Sequence, residues 1–298
     1  MNMDHHVRAY ADFLESKTDL RMPLKVVCDF SNGPTSIVAR ELARRLSSSL
    51  HMVPMNDSVH PDFPAHGPDP SVPAAATEIG KKVVETRADL GVIFDGDGDR
   101  AVFVDERGVP VPPVAVALFL MKNIPGPHVL DALLYEAATH LDPSLIGSIF
   151  ASKVGRFFIS RTMREKGASI GAEFSGHFFF RDFFGLDSAL LTMISVLNLI
   201  SRTEARASSS FSRYGGHSVV AAKACLSRPF SSVAEDIKLS VSSQGPRISE
   251  LDGLTVDFGD RWVNLRPSNT EPVIRITAGA PDPIVAEALG EEFRKAVA

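Results

Sequence analysis

The 298-residue sequence is poor in the residues that mark several classes of protein. It contains two cysteines, Cys28 and Cys225, one tryptophan and three tyrosines. Two cysteines cannot form the dense disulfide framework of a small secreted domain. Both lie in apolar runs that are typical of strands, which predicts reduced, buried thiols and a cytoplasmic protein.

Long apolar runs and a strong net charge are also missing. No run approaches the roughly 20 apolar residues of a membrane-spanning helix, and the N-terminal MNMDHHVRAY has no signal-peptide core. The net charge of −5 gives no overall attraction to nucleic acid. We therefore expect neither a membrane nor a nucleic acid as a partner. The length and the 44% apolar content are sufficient for two or three globular domains.

The most informative stretch is DLGVIFDGDGDRAVFVD at residues 89–105. An apolar run leads to three alternate carboxylates, Asp95, Asp97 and Asp99, with glycines between them and Arg100 behind. Carboxylates this close repel one another, and a bound cation offsets that repulsion. Oxygen ligands with full negative charge favour Mg²⁺. Other interpretations remain open: an acidic hairpin turn, a structural Ca²⁺ loop, or the nucleophile loop of an Asp-x-Asp phosphatase.

Two further polar segments predict ligand contacts. In extended backbone, Glu173, Ser175 and His177 point to one face, where they can bind sugar hydroxyls, and the imidazole can move a proton near neutral pH. The segment RPSNTEP at 266–272 supplies donors for a phosphate, with further charge on the next strand; its candidates are Arg266, Ser268, Asn269, Thr270 and Arg275. The alternatives are a polar strand edge and a hydrogen-bonded turn without a ligand.

The rest of the chain alternates strand and helix patterns. A helix is predicted over 4–17, a strand over 24–30, and further helices over 35–47, 72–88, 114–122 and 156–166. Candidate strands of a second region are 129–134, 145–151 and 169–174, and the apolar run 186–200 is predicted as a buried helix. Residues 201–210, SRTEARASSS, are predicted as a linker. Helices over 230–243 and 284–297 alternate with strands in the last region. This order predicts an α/β fold with an α+β C-terminal part.

DGDGDR at 95–100, AEFSGH at 172–177 and RPSNTEP at 266–272 together resemble the metal, sugar and phosphate loops of the alpha-D-phosphohexomutases, the phosphomannomutase and phosphoglucomutase superfamily. The resemblance extends from about Leu24 to the end and covers the later three of the family's four domains. It implies Mg²⁺ as cofactor, hexose phosphates as ligands and an isomerase-type phosphotransfer. It also implies catalytic roles for Arg100 and His177 and substrate contacts by Lys153 and Arg156, for which solvated surface is the alternative.

The resemblance also implies a domain plan. Two phosphohexomutase-type α/β domains with mixed sheets precede a smaller α+β domain. The expected ranges are an N-terminal helix at 1–22, a metal-binding domain at 23–125, a sugar-recognition domain at 126–200, the linker at 201–210 and a phosphate-binding domain at 211–298.

The family's phosphoserine loop, of the type Thr-Ala-Ser-His-Asn-Pro, has no counterpart in these 298 residues. Phosphoryl transfer depends on the positioning of the reacting groups. The absence of the phosphoserine loop therefore predicts that the reaction is lost rather than slowed. Three hypotheses follow. The chain is a phosphohexomutase whose serine domain comes from a separate polypeptide or was lost from this reading frame through a split gene or a misplaced start; or it is a non-catalytic sugar-phosphate sensor; or it is a metal-dependent sugar phosphatase. A homo-oligomer is the alternative to a separate polypeptide as the protein partner.

Overall fold

The computed structural model describes residues 3–203, 205–268 and 271–297. The chain divides into two compact units. The first comprises Met1–His128 with Met163–Tyr214, and the second comprises Val129–Thr162 with Gly215–Ala298. Asn269 and Thr270 of the predicted phosphate loop lie outside the described residues.

The N-terminal part of the first unit contains a five-stranded sheet in the order β2-β1-β3-β4-β5, with helices between its first strands along the chain. Strands β2, β1 and β3 are parallel. Strand β4 continues the sheet antiparallel to β3, and β5 is antiparallel to β4. Helices and strands alternate along the chain because apolar residues recur at helical spacing between short β-branched runs. The elements of this region are α1 (Met3–Ser16), β1 (Leu24–Asp29), α2 (Thr35–Arg45), β2 (Leu50–Met55), α3 (Pro73–Thr86), β3 (Leu90–Phe94), β4 (Ala101–Asp105), β5 (Pro110–Val111) and α4 (Pro113–Asn123).

The middle of the chain passes from the first unit to the second and back. Its elements are β6 (His128–Asp131), α5 (Ala132–Leu141), β7 (Ile149–Ser152), α6 (Arg156–Lys166), β8 (Ile170–Ala172), β9 (Phe178–Phe180), β10 (Leu186–Asp187), α7 (Ala189–Ile200) and α8 (Ala207–Ser212). Strands β8, β9 and β10 form an antiparallel ladder in the first unit. Helix α7 is predominantly apolar and almost wholly buried, and it packs on α4.

The C-terminal part of the second unit is an antiparallel sheet in the order β11-β15-β14-β13-β12. Helices α9 and α10 cover one face, and their apolar residues form a core with the sheet around Val256, Leu265, Ile276 and Phe293. The elements are β11 (Ser218–Cys225), α9 (Phe230–Val241), β12 (Arg247–Ser249), β13 (Leu254–Asp257), β14 (Trp262–Pro267), β15 (Val273–Ala280) and α10 (Pro283–Val297). The predicted fold class, α/β regions followed by an α+β region, is confirmed.

Several local predictions differ from the structure. The helix predicted over 186–200 begins only at Ala189, because Leu186 and Asp187 pair with β9 as strand β10. The strand predicted over 129–134 ends at Asp131, whose side chain accepts a hydrogen bond from the Leu134 N–H at 2.8 Å and caps α5. The strand predicted over 145–151 is shorter, because 143–145 form a 3-10 turn before β7. The end of the predicted linker is helical, since α8 begins at Ala207. Only Cys28 is buried; Cys225 ends an edge strand and is exposed.

None of the helices in the described ranges is both long enough and apolar enough to cross a lipid bilayer.

Candidate functional site

The loop between β3 and β4 is organised around the buried carboxylate of Asp95. Its Oδ1 accepts hydrogen bonds from the backbone N–H groups of Gly98, Asp99 and Arg100 at 2.9, 3.0 and 3.1 Å. Gly98 has φ +84°, and a Cβ there would lie 2.0 Å from the Thr35 hydroxyl oxygen, so only glycine fits. These hydrogen bonds and the conformation of Gly98 therefore define the shape of the loop.

The structure brings together the three carboxylates that the sequence predicts as metal ligands. Oxygen atoms of Asp95, Asp97 and Asp99 lie within 4.8 Å of one another. Burial and the neighbouring Asp99 raise the pKa of Asp95 to about 6, despite the opposing effect of Arg100. A divalent cation would offset this cost, and an all-oxygen donor set fits Mg²⁺. These residues fit the predicted metal, and their role as ligands stays a prediction.

Arg100 is held by two carboxylates. Its Nε donates to Asp95 Oδ2 at 2.8 Å, and its Nη1 lies 3.4 Å from Asp69 Oδ1. Asp69 lies in the Pro-rich loop before α3, and sequence reasoning did not single it out. The pair orients the guanidinium beside the metal loop, where it could meet a phosphate. Its catalytic role stays a prediction.

The predicted sugar loop is a tight turn rather than an extended segment. Residues 173–177 connect β8 and β9: the Gly176 N–H donates to the Glu173 carbonyl at 3.0 Å, and the Glu173 N–H to the His177 carbonyl at 2.9 Å. Gly176 has φ +93°. The expectation of extended backbone was wrong because the antiparallel β8–β9 pair requires a reversal here. The three side chains nevertheless converge, with Ser175 Oγ 2.7 Å from His177 Nδ1.

His177 links the sugar loop to the metal loop. Its Nδ1 lies 3.1 Å from Glu173 Oε2, and its Nε2 lies 3.2 Å from Asp99 Oδ1. Burial by itself would lower the pKa of His177, but hydrogen bonds to Asp99 and Glu173 outweigh it and raise the pKa to about 9. The imidazole is then protonated at neutral pH, so in this state it acts as a donor to the carboxylates around it.

Asp187 is a further acidic residue at this place that sequence reasoning missed. It follows Leu186 in β10, and one of its oxygens lies within 4.8 Å of ligand atoms on Asp99 and His177. The sequence motifs do not indicate Asp187, because it lies ten residues after His177 and reaches the site through the pairing of β9 with β10. The first unit therefore collects carboxylates, a guanidinium, a hydroxyl and an imidazolium at one site.

The predicted phosphate contacts lie in the second unit. Arg266 and Ser268 stand at the end of β14. Arg266 pairs in register with Arg275 of β15, and Arg275 pairs with Lys223 of β11. Directly paired residues share one face of a sheet, so three cations form a row across three strands. Like charges in such a row repel. Glu271 Oε2, 2.9 Å from Lys223 Nζ, offsets part of that repulsion, and a bound anion would offset more of it. Lys223 was not anticipated from the sequence.

Lys153 and Arg156 belong to the segment between β7 and α6. Lys153 is exposed and, like Arg266, lines a cavity of about 860 Å³ in the second unit. Arg156 is the exposed first residue of α6. Arg266 Nη1 lies 3.3 Å from Asp252 Oδ2, which also accepts a hydrogen bond from the Val154 N–H at 3.3 Å. Asp252 thus ties the lysine-bearing segment to the arginine of the predicted phosphate loop.

Three family models match the chain. "Phosphoglucomutase/phosphomannomutase, alpha/beta/alpha domain II" matches residues 4–108, the corresponding domain III matches residues 134–214, and the C-terminal domain matches residues 226–296. The matches follow one another in the order that the sequence motifs predict.

Curated relatives and a solved structure agree with these matches. The chain is 29% identical over 282 residues to a phosphomannomutase of Methanocaldococcus jannaschii, covering 92% of this chain and 61% of that protein. It is 30% identical over 280 residues to a phosphomannomutase/phosphoglucomutase of Pseudomonas aeruginosa, covering 88% and 58%. The crystal structure of a phosphoglucomutase/phosphomannomutase family protein from Burkholderia thailandensis superposes with a TM-score of 0.82 at 25% identity, covering 97% and 63%. The chain thus spans about three fifths of the length of these proteins.

Proposed function

Because the chain belongs to the phosphoglucomutase/phosphomannomutase family, we propose that it binds hexose phosphates together with Mg²⁺, as the metal-, sugar- and phosphate-binding portion of a phosphohexomutase. The observation that carries the proposal is the site in the first unit. There the metal loop and the sugar loop meet through the contact between His177 and Asp99, 3.2 Å apart.

Each part of the ligand has a chemical counterpart in this chain. Glu173 accepts hydrogen bonds from sugar hydroxyls, Ser175 can donate or accept, and the His177 imidazolium donates. Arg266 and Arg275 supply guanidinium groups for the phosphate. Mg²⁺ on the three aspartates would neutralise charge on a phosphate oxygen. We therefore assign the three aspartates and Arg100 to the binding of the phosphoryl group that is transferred.

We further propose that the 298-residue chain alone does not interconvert hexose 1-phosphate and hexose 6-phosphate. The resemblance assigns the transferable phosphate to a phosphoserine loop, and none of these residues forms a segment of that type. Without the group that donates the phosphate, the site cannot catalyse the transfer, because positioned groups supply nearly all of the rate enhancement.

Titration calorimetry tests the binding proposal. Mannose 6-phosphate and glucose 6-phosphate, titrated in the presence of Mg²⁺, should each bind more tightly than the free sugars and than inorganic phosphate. The proposal would be contradicted by sugar phosphates that bind no better than inorganic phosphate, since the sugar loop would then contribute nothing.

A further inference from the structure

The cavity of about 860 Å³ in the second unit lies against the predicted phosphate loop. Its walls are the segment after β7, the first turn of α9, the turn before β13 and the end of β14, which contribute Lys153, Phe158, Phe230, Leu254 and Arg266 among others. Small-molecule pockets occupy roughly 300–1,000 Å³, so this cavity is near the upper end of that range. A monosaccharide phosphate would leave part of it unfilled.

Two phenylalanines face this cavity. Phe158, in the first turn of α6, is 41% exposed, and Phe230 opens α9 and is only partly buried. Large apolar side chains that stay exposed beside a cavity indicate a ligand surface more often than isolated ones do. Their flat rings are suited to stacking on another aromatic ring.

The charges around the cavity are unevenly paired. Lys238 lies 2.9 Å from Glu235 and also pairs with Glu250, and Arg266 pairs with Asp252. Lys153 has no carboxylate partner within the described ranges, and its Nζ lies 5.8 Å from the centroid of the Phe158 ring. An unpaired ammonium next to an exposed aromatic ring suits a ligand that combines an anion with a flat ring.

We propose that this cavity binds a phosphate ester that carries a flat aromatic ring, of which a nucleotide is the simplest example. Lys153 and Arg266 bind the phosphate, Phe158 and Phe230 contact the ring, and the serine hydroxyls of the first turn of α9 offer hydrogen bonds to its edge. The inference goes beyond the proposed function, with which it shares Lys153 and Arg266. A nucleotide bound here therefore competes with the hexose phosphate.

Calorimetry with three small molecules tests the inference on the 298-residue protein. AMP contains both features, ribose 5-phosphate lacks the ring, and adenosine lacks the phosphate. Base stacking on aromatic side chains predicts that AMP binds about 5- to 150-fold more tightly than ribose 5-phosphate. Adenosine should also bind less tightly than AMP. Equal affinities for AMP and ribose 5-phosphate, or no binding of either, would overturn the inference.

Adjacent phenylalanines provide a matched pair of variants. Phe158→Leu removes the ring from the cavity wall and should reduce the preference for AMP over ribose 5-phosphate to less than about 3-fold. Phe157→Leu makes the same change at a residue that is 64% exposed and lies outside the cavity wall, and it should preserve the preference. The same loss in both variants would refute the assignment of the ring site.

Hexose 6-phosphate, titrated into the same wild-type protein, separates this inference from the proposed function. If hexose phosphate binds and AMP shows no preference over ribose 5-phosphate, this inference fails and the proposed function stands. If AMP binds with the expected preference and hexose phosphate does not bind, this inference is supported and the proposed function is contradicted.

Discussion

Substitution of Asp97 by asparagine isolates the metal-binding role of the loop between β3 and β4. Asp97 is the exposed member of the three carboxylates, and the described residues offer its side chain no hydrogen bond or ion pair. Asp95, in contrast, accepts four hydrogen bonds that shape the loop, so its replacement would disturb the fold as well. Asp97→Asn changes one charge and leaves the loop intact.

The expected loss follows from Coulomb's law. Two unit charges about 4 Å apart attract by about 1 kcal/mol in water and by about 4 kcal/mol at an effective dielectric constant of about 20. A divalent cation doubles both values. Because Asp97 is exposed, the lower value applies, and Asp97→Asn should weaken Mg²⁺ binding by about 2 kcal/mol, or roughly 30-fold.

Calorimetric titration with Mg²⁺ and Mn²⁺ at constant ionic strength measures this loss, since salt screens surface charges. Asp62→Asn is the matched control, because it removes the same charge from a side chain that is 85% exposed and outside the cluster. Unchanged affinity in Asp97→Asn, or equal losses in the two variants, would refute the assignment of the metal site.

Three further predictions concern stability and activity. Gly253→Ala should destabilise the protein by at least about 2 kcal/mol more than Gly259→Ala in chemical denaturation: both have positive φ, but a Cβ on Gly253 would lie 2.2 Å from the Leu265 carbonyl oxygen, whereas nothing lies within 4 Å at Gly259. Equal losses would contradict the steric argument. Burial and the nearby His140 lower the pKa of His217 from 6.5 to about 4, and its Nε2 accepts a hydrogen bond from Trp262 at 2.9 Å. The unfolded chain therefore binds the proton first, so the free energy of unfolding should fall as pH drops from about 6.5 towards 4, and His217→Gln should reduce that slope; an unchanged slope would argue against it. In a coupled dehydrogenase assay with hexose 1,6-bisphosphate present, the 298-residue chain should not convert hexose 1-phosphate to hexose 6-phosphate, and turnover above roughly 1 per second would show that another residue carries the phosphate.

Local sequence patterns were sufficient where the structure is determined locally. The helix predicted over 156–166 is α6, with the same bounds, because its apolar spacing and the preceding glycine are unambiguous. The metal loop was predictable for a similar reason: Asp95 follows a fully buried strand, and alternation with glycine brings the next two carboxylates to the same place. The fold class followed from the alternation of strand and helix patterns.

Other features depend on long-range contacts or on weak signals. The approach of Asp187 to Asp99 and of Asp69 to Arg100 arises from tertiary packing, which spacing along the chain does not reveal. Helix α5 was missed because the apolar run of the preceding strand continues into it. Asp131 at its start is a capping residue, and this signal predicts that the strand ends there.

The claim that this chain binds hexose phosphates is tested most directly by measuring the affinities of two ligands for two variants. Arg266→Ala should weaken both inorganic phosphate and hexose 6-phosphate by roughly 10- to 150-fold, because it removes a charge-assisted contact. Arg261→Ala, in the turn directly before β14, serves as the control. Glu173→Gln should weaken hexose 6-phosphate while leaving inorganic phosphate nearly unchanged. If both variants lose the two ligands equally, or neither variant loses either, the assignment of phosphate to one loop and sugar to the other is wrong.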